Sequence, residues 1–172
     1  MAAESSTALA VRRRGAATAV GRGTTAAPTG EHPLSIVMVA SEALPYSKTG
    51  GLADVSMALS LSLGRLGHRV VLVTPRYRAV KVRTEPSEHA TIVIGGEALD
   101  VGFIVEQVAP DVRVVFVECA RLFDRDGLYG VGGHDHGDNP LRFALLAKAA
   151  LVFAELDGLR PDVFHAHDWQ AG

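Results

Sequence analysis

The segment Ser47–Val55 reads SKTGGLADV and places a lysine beside two consecutive glycines, directly before a helical pattern. Gly50 and Gly51 leave the backbone bare, so that a ligand can approach it closely. The free N–H groups at the start of a following helix, and the dipole of that helix, both favour negative charge. Together with the Lys48 ammonium group, these features suit a phosphate or pyrophosphate. A plain turn with a solvated lysine is the alternative, because the spacing matches neither common glycine-rich nucleotide motif.

A second polar cluster stands near the end of the sequence, where residues 163–170 read VFHAHDWQ. His165 and His167 are two apart on a predicted strand, so their side chains share one face and, with Asp168, could ligate a metal. The same pair can instead donate hydrogen bonds to a sugar or a phosphate, which we consider the better interpretation. Trp169, the only tryptophan, suits either the core or stacking against a sugar ring.

The polar stretch HDHGDN, residues 134–139, allows similar metal chemistry, but it falls in a long glycine-rich loop predicted over 121–139. We therefore interpret it as a solvated loop in which Asp138 or Asn139 caps the next helix. Cys119, the only cysteine, excludes an internal disulfide. We interpret it as a small residue that closes a strand rather than as a nucleophile.

The elements that could position these clusters follow from the apolar pattern. Residues 34–41, LSIVMVAS, and 68–75, HRVVLVTP, are short apolar runs that predict strands covered on both faces. Between them, apolar residues recur at steps of three and four and predict one helical stripe, formed by Leu52, Val55, Leu59, Leu63 and Leu66. Gly67 predicts the end of that helix. Strand, helix and strand in this order form a βαβ unit.

The remainder of the sequence predicts three strands, a helix and a final strand. We expect a hairpin layer, appended to the parallel sheet, from residues 90–96, 99–108 and 112–119. Pro140 opens a strong helix over 140–156, and residues 161–169 form the last strand. The predicted fold class is therefore α/β with a Rossmann-like parallel sheet, whose ligands bind outside the carboxyl ends of the strands. Because such a sheet normally has five or six strands around that site, we expect a truncated chain.

Composition narrows the class of protein. The 172 residues carry a formal net charge of −2, from 17 Lys and Arg against 19 Asp and Glu, which gives no reason to expect a nucleic-acid or membrane partner. No apolar run approaches the roughly 18 residues of a membrane-spanning helix. Residues 1–33 are rich in Ala, Thr, Gly and Arg, which predicts a disordered extension. It is either an unstructured extension of a cytoplasmic bacterial protein or a plastid transit peptide.

Four segments, in order and at plausible spacing, resemble the amino-terminal domain of bacterial glycogen synthases and plastid starch synthases: KTGGLADV, GHRVVLVTPRY, DNPLRFALLAKAAL and RPDVFHAHDWQAG. The resemblance covers most of residues 36–172. It implies the first half of a two-domain GT-B glycosyltransferase that moves glucose from ADP-glucose to the non-reducing end of an α-1,4-glucan. The family retains the anomeric configuration and requires no metal or other cofactor. The domain would span residues 34–172 and be incomplete.

The resemblance also implies roles for individual residues. The family's Lys-Thr-Gly-Gly loop lies against the phosphates and glucose of the donor, and this role carries over to Lys48, Thr49, Gly50 and Gly51. Asp54 matches an aspartate of the same donor site, and Tyr129 is similar to a tyrosine of the family's long loop. Asp168 and Trp169 match a pair that contacts the glucan acceptor.

The sequence departs from the family pattern in two places. Met57 and the pair Leu59-Ser60 replace a Gly and a Leu-Pro, which we expect to alter helix packing but not chemistry. Gln170 stands where the family often has histidine, so no acceptor contact is carried over to it. The main catalytic groups of the family fall beyond Gly172, and we therefore expect this chain not to catalyse transfer alone.

Two other functions compete with this one. A non-catalytic module that binds a nucleotide sugar or a glucan would carry the same segments. An oxidoreductase with a nicotinamide cofactor would use a similar fold, but it would need a different glycine spacing and an acidic ribose-binding residue about 20 positions later. Neither occurs in the expected frame. Incorporation of glucose into glycogen separates a transferase from the binding module.

Overall fold

The strands and helices follow the α/β order predicted from the sequence. The computed structural model describes residues 32–82 and 85–172, so the predicted disordered extension at 1–33 lies almost entirely outside the described residues. In chain order the elements are β1 (Ser35–Val39), α1 (Leu52–Arg65), β2 (Arg69–Pro75), β3 (Glu88–Ile94), β4 (Glu97–Ala109), β5 (Val112–Glu118), α2 (Ala120–Phe123), β6 (Gly130–Val131), β7 (His134–Asp135), α3 (Asn139–Leu156) and β8 (Val163–Ala166). The predicted fold class is confirmed.

One six-stranded sheet forms the centre of the fold, in the order β3-β4-β5-β2-β1-β8. The strands β5, β2, β1 and β8 run parallel, and β4 and β3 continue the sheet beyond β5 in antiparallel pairs. The three hairpin strands are appended to the parallel sheet, as predicted, but they form no layer of their own, because β5 pairs directly with β2 and brings β3 and β4 into the same sheet. All five residues of β1 and six of the seven in β2 are buried, as their apolar runs predict.

The face that helix α1 turns toward the sheet only partly overlaps the predicted stripe, of which Leu59 and Leu63 pack against the core. Its buried residues are Ala53, Ser56, Met57 and Ser60. By contrast, Val55 and Leu66 of the predicted stripe are 54% and 55% exposed. Buried serines are stable here because each hydroxyl finds an acceptor: Ser56 donates to the Glu42 carbonyl, and Ser60 donates to the Ser56 carbonyl. These small side chains form the side of the helix that packs on the sheet.

The ends of both long helices agree with their glycine and proline signals. Helix α1 ends at Arg65, and Gly67 follows with a φ of 88°, a left-handed conformation that favours glycine. Two bonds complete the termination, from Gly67 N–H to the Gly64 carbonyl and from His68 N–H to the Leu63 carbonyl. Helix α3 likewise has a proline in its first turn and a left-handed glycine after its end. Within the described ranges, no helix has the length and apolarity that crossing a membrane requires.

The segment predicted as a long loop, 121–139, contains more secondary structure than its composition indicates. It includes most of α2 and the short strands β6 and β7, which pair with each other, so the HDHGDN stretch is partly a strand. Asp138 occupies the N-cap position of α3, as predicted, but its side chain makes no capping hydrogen bond. The Asp138 carboxylate instead accepts hydrogen bonds from Arg125 at 2.9 Å. The Asn139 amide donates to a main-chain carbonyl of the same segment.

Gly64 faces β5 from the last turn of α1, and a Cβ at this position would overlap Cγ2 of the buried Val112. Valine is stiff at χ1, so this side chain cannot easily turn away. We expect Gly64→Ala to lower the free energy of unfolding by about 1–3 kcal/mol, even though alanine favours helices. Urea unfolding followed by circular dichroism measures the change. Val112→Ala should relieve the overlap, so purely additive losses in the double variant would contradict this explanation.

Candidate functional site

The two polar clusters predicted from the sequence lie at the same edge of the sheet. The register pairs Val39 of β1 with Val73 of β2 and with Ala166 of β8, so these parallel strands end side by side. The segment 41–51 follows β1, and the segment 167–170 follows β8. Both segments therefore lie at the carboxyl ends of the parallel strands, where α/β sheets bind their ligands.

A carboxylate that the sequence analysis missed lies at the centre of this edge. Glu42 is only 3% exposed, and it accepts hydrogen bonds from the N–H and the hydroxyl of Thr49, each at 2.6 Å. It also accepts bonds from the Gly50 N–H at 3.2 Å and the Tyr129 hydroxyl at 2.6 Å. Four donors thus satisfy one buried charge, as the burial of a carboxylate requires. The Gly50 N–H, which we expected to face a phosphate, is occupied by a group of the chain itself.

This contact sets the charge states of Glu42 and Tyr129. Burial raises the pKa of Glu42, but hydrogen bonds from Thr49, Tyr129 and Gly50 outweigh burial and hold that pKa below its ordinary value. Burial, and then the bond to Glu42, raises the pKa of the Tyr129 phenol well above its ordinary value. At neutral pH the carboxylate is therefore charged and the phenol is protonated, so the phenol is the donor.

Gly50 and Gly51 border open space. Neither has the left-handed φ that would require glycine, and a Cβ built on either residue would meet no atom beyond its chain neighbours within 4 Å. Gly51 is the residue that precedes α1, with a φ of −74°. The fold would therefore accept a side chain at both positions. The bare backbone leaves room for a ligand, which is the property predicted from the sequence.

Main-chain N–H groups at the start of α1 have no acceptor among the described residues, and those of Gly51, Leu52 and Asp54 belong to residues that are at least partly exposed, whereas Ala53 is fully buried. The first main-chain bond of α1 runs from the Val55 N–H to the Gly51 carbonyl at 3.1 Å. No described residue accepts a bond from the four N–H groups of residues 51–54. The Lys48 side chain is 47% exposed, and its ammonium lies 2.7 Å from the Asp54 carboxylate. Lys48 is thus held by an ion pair at the start of α1.

Tyr129 connects this loop to the tryptophan that follows β8. Its ring centroid lies 6.4 Å from Trp169 and 5.9 Å from Phe143 of α3. Phe143 and Trp169 meet edge to face at 5.3 Å. Trp169 nevertheless remains 60% exposed. An indole that two aromatic rings hold in place, and that is still open to solvent, is suited to stacking against a sugar and does not belong to the core.

Asp168 and two histidines shape the turn that carries Trp169. Asp168 has a left-handed φ of 63°, uncommon outside glycine, and its carboxylate accepts a bond from the Trp169 N–H at 2.8 Å. His165 and His167 stack at 4.1 Å, as expected for neighbours on one face of a strand. Burial, and then His165, lowers the pKa of His167, so its ring is neutral at pH 7. In the described ranges, no three His, Cys, Asp or Glu residues are grouped to hold a metal.

Two residues of α3 support Tyr129 and were not recognised in the sequence as site residues. Arg142 is fully buried and donates to the Asn139 side chain at 2.6 Å, and Asn139 donates to the Tyr129 carbonyl at 2.8 Å. Both belong to the DNPLRF segment, whose sequence indicates the start of a helix and a family motif but no role for these two side chains. Glu42 had a signal that was not used: it is a charged residue directly after a buried strand, at the edge where ligands bind.

Glu42→Gln removes the charge and keeps the length of the side chain. We expect it to lower the free energy of unfolding at neutral pH by about 1–3 kcal/mol, because buried donors lose an ionised acceptor. The folded-state pKa of Glu42 lies below the ordinary 4.5, so its stabilising contribution is present above that value and is lost as the pH falls through the folded-state pKa. Thermal unfolding from neutral pH down to about pH 2 should show the gap between wild type and variant narrowing. A constant gap would contradict this assignment.

Comparison with known proteins identifies the family. Residues 35–172 match the family model described as "Starch synthase catalytic domain". Glycogen synthase 2 of Geobacter metallireducens is 43% identical over 142 residues, which cover 80% of this chain and 29% of the relative. A glycogen synthase of Anaeromyxobacter sp. (strain Fw109-5) is 45% identical over 143 residues, which cover 81% of this chain and 29% of the relative. The chain thus spans less than a third of the length of these relatives.

A solved structure agrees with the sequence relatives. The catalytic domain of starch synthase IV from Arabidopsis thaliana, bound to ADP and acarbose, matches 81% of this chain with a TM-score of 0.71 and 28% identity. The match covers 29% of that chain. The resemblance to bacterial glycogen synthases and plant starch synthases, noted from four sequence segments, is confirmed. The chain belongs to the starch synthase catalytic domain family.

Proposed function

We propose that this chain is part of the amino-terminal domain of a retaining GT-B glycosyltransferase that transfers glucose from ADP-glucose to the non-reducing end of an α-1,4-glucan. The observation that carries the proposal is the open space beside Gly50 and Gly51, together with N–H groups without acceptors at the start of α1. Family membership supports the same reaction, since the related starch synthase IV was bound to ADP and acarbose.

The donor side of the proposal depends on charge. In the transition state, negative charge grows on the leaving diphosphate, and N–H groups and cations already in place stabilise it. The N–H groups of Gly51, Leu52 and Asp54 and the Lys48 ammonium provide both at the start of α1, where the helix dipole adds to the attraction. The Asp54 carboxylate pairs with the Lys48 ammonium at 2.7 Å and so holds that ammonium close to the loop. Thr49 fixes the loop through its two bonds to Glu42.

The acceptor side of the proposal consists of Trp169 and Asp168. The exposed indole offers a stacking surface to a glucose ring, and the Asp168 carboxylate can accept hydrogen bonds from sugar hydroxyls. Tyr129 lies between the two sides, with its hydroxyl on Glu42 and its ring 6.4 Å from Trp169. Transfer requires donor and acceptor to meet, and Tyr129 stands where they would do so.

The chain spans 29% of the length of its relatives, and the rest of the proposed active site belongs to the part that it does not span. We place the main catalytic groups and a second Rossmann-like domain there, with residues 34–172 as an incomplete first domain. As the resemblance implies, no metal or other cofactor takes part. The enzyme acts in the cytoplasm, or in a plastid if residues 1–33 are a transit peptide.

Incorporation of radiolabelled glucose into glycogen, measured on the complete gene product that contains this chain, tests the proposal. Incorporation from ADP-glucose is the expected result. Binding of ADP or glucan without incorporation would instead favour a non-catalytic binding module. Tight binding of NADH would favour a nicotinamide-dependent oxidoreductase.

Gly50→Ala tests whether a donor uses the open space. Because φ at Gly50 is not left-handed and its surroundings are empty, we expect the free energy of unfolding to stay within about 0.5 kcal/mol of the wild type. A methyl group in front of the diphosphate should lower kcat/KM for ADP-glucose about tenfold or more, roughly 1.4 kcal/mol. Gly137→Ala is the matched control, since Gly137 also borders open space without a left-handed φ. Equal kcat/KM values in both variants would argue against this approach of the donor.

Trp169→Ala tests the acceptor side. Loss of the indole should weaken binding of a maltooligosaccharide by roughly 1 kcal/mol, about fivefold in Kd, because a stacking surface is removed. Isothermal titration calorimetry measures the affinity, and urea unfolding checks that the variant folds. Leu151→Ala is the control, because Leu151 is a comparably exposed apolar residue on α3, at 55%. The same loss in both variants, or none in Trp169→Ala, would remove Trp169 from the acceptor site.

A further inference from the structure

One carboxylate joins two segments that are distant in the sequence. The first is the donor loop, which we define as residues 48–51 and which bonds to Glu42 through the N–H groups of Thr49 and Gly50. The second contains Tyr129, 87 residues from Glu42, whose hydroxyl donates to the same carboxylate at 2.6 Å. The two segments are therefore linked through the bonds that both make to Glu42.

The Tyr129 segment is in turn held by the core. Arg142 reaches Tyr129 through Asn139, with bonds at 2.6 Å and 2.8 Å. Arg142 is fully buried and also donates to the Leu122 carbonyl at 2.8 Å. Its guanidinium lies 5.4 to 5.9 Å from three aromatic ring centroids, those of Tyr77, Phe123 and Phe143. A group so enclosed cannot shift without disturbing the packing around α3.

We propose that Glu42 is a positioning residue whose carboxylate sets the donor loop and Tyr129 in one fixed arrangement, so that the two segments act as a unit. This inference rests on the proposed function, which assigns the donor to the first segment and puts Tyr129 between donor and acceptor. Glu42 itself is 3% exposed, and its oxygens are occupied by four donors of the chain. It therefore acts through the direction that it gives to the N–H groups after Gly50.

A phosphate would not displace this carboxylate. A dianion placed beside a buried carboxylate meets like charge, and Glu42 moved aside would lose four donors while staying in the interior. The main chain is fixed as well, because the Glu42 carbonyl accepts the buried Ser56 hydroxyl at 2.8 Å. Glu42 thus stays bonded to the donor loop when a ligand binds, and the donor meets the N–H groups that follow Gly50.

Amide hydrogen exchange, followed by NMR on the chain without substrate, measures this coupling. In the wild type, the N–H groups of Thr49 and Gly50 should exchange about tenfold more slowly than those of the next two residues, because only the first pair is hydrogen-bonded. Tyr129→Phe removes the hydroxyl that bonds Glu42 and Ser41, and it changes no residue of the donor loop. We expect exchange at Thr49 and Gly50 to become about threefold faster or more. Exchange rates equal to those of the wild type would overturn the proposal.

Glu118→Gln is the matched control for this experiment. Glu118 is a half-buried carboxylate that pairs with Arg76 and lies outside the path from Arg142 to the donor loop. Exchange at Thr49 and Gly50 should therefore match the wild type. Faster exchange in Glu118→Gln would show that any lost carboxylate contact loosens the loop, and it would overturn the specific role of Glu42.

Kinetics of the complete gene product separate positioning from a general loss of stability. We expect Glu42→Gln and Tyr129→Phe each to lower kcat/KM for ADP-glucose about tenfold, with the KM for glucan unchanged in Glu42→Gln. The double variant should lose less than the product of the two, because both act through one contact. Independent losses, or a matching rise in the KM for glucan, would overturn the proposal. A wild type that transfers no glucose would contradict the proposed function, whereas the exchange experiment, which needs no substrate, still decides the coupling.

Discussion

The buried charge of Glu42 is the constraint on which the rest of this site depends. A carboxylate with 3% exposure is stable only if donors surround it, and the chain provides four, from the donor loop and from Tyr129. The loop therefore cannot be described as a flexible glycine turn. Its first two N–H groups after Lys48 are directed inward, and only the following ones, at the start of α1, are left for a ligand.

Helix α1 is fixed to the same point by residues that look unsuited to a core. The Ser56 hydroxyl donates to the Glu42 carbonyl, and Ser60 donates back to Ser56, so hydroxyl groups replace larger apolar side chains at the buried face. Glu42 thus holds both parts: its main-chain carbonyl bonds helix α1, and its carboxylate bonds the donor loop. Consequently, the position of the open N–H groups relative to the loop is set by packing and hydrogen bonds together.

Local patterns predicted the elements well and their partners poorly. The runs over β1 and β2 are apolar because both faces are covered. Glycines follow the ends of α1 and α3 because the chain there adopts a left-handed conformation, which favours glycine. The buried face of α1 was only partly predicted because its serines count as polar in any periodicity, although they bond the main chain in the interior. Glu42 was missed because its decisive partner, Tyr129, is 87 residues away. Likewise, only the pairing of β5 with β2 shows that the middle strands join the main sheet.

The charges at the donor loop explain why the proposed reaction needs groups from outside this chain. Glu42 and Asp54 are negative and Lys48 is positive, so the three side chains together carry 1 − 2 = −1. The start of a helix contributes only about half a positive charge, and the Arg142 charge is enclosed by aromatic rings. A diphosphate that approaches this loop is therefore oriented by N–H groups but not neutralised by side chains. Under the proposed function, the cations that balance its charge in the transition state belong to the part of the enzyme that this chain does not span.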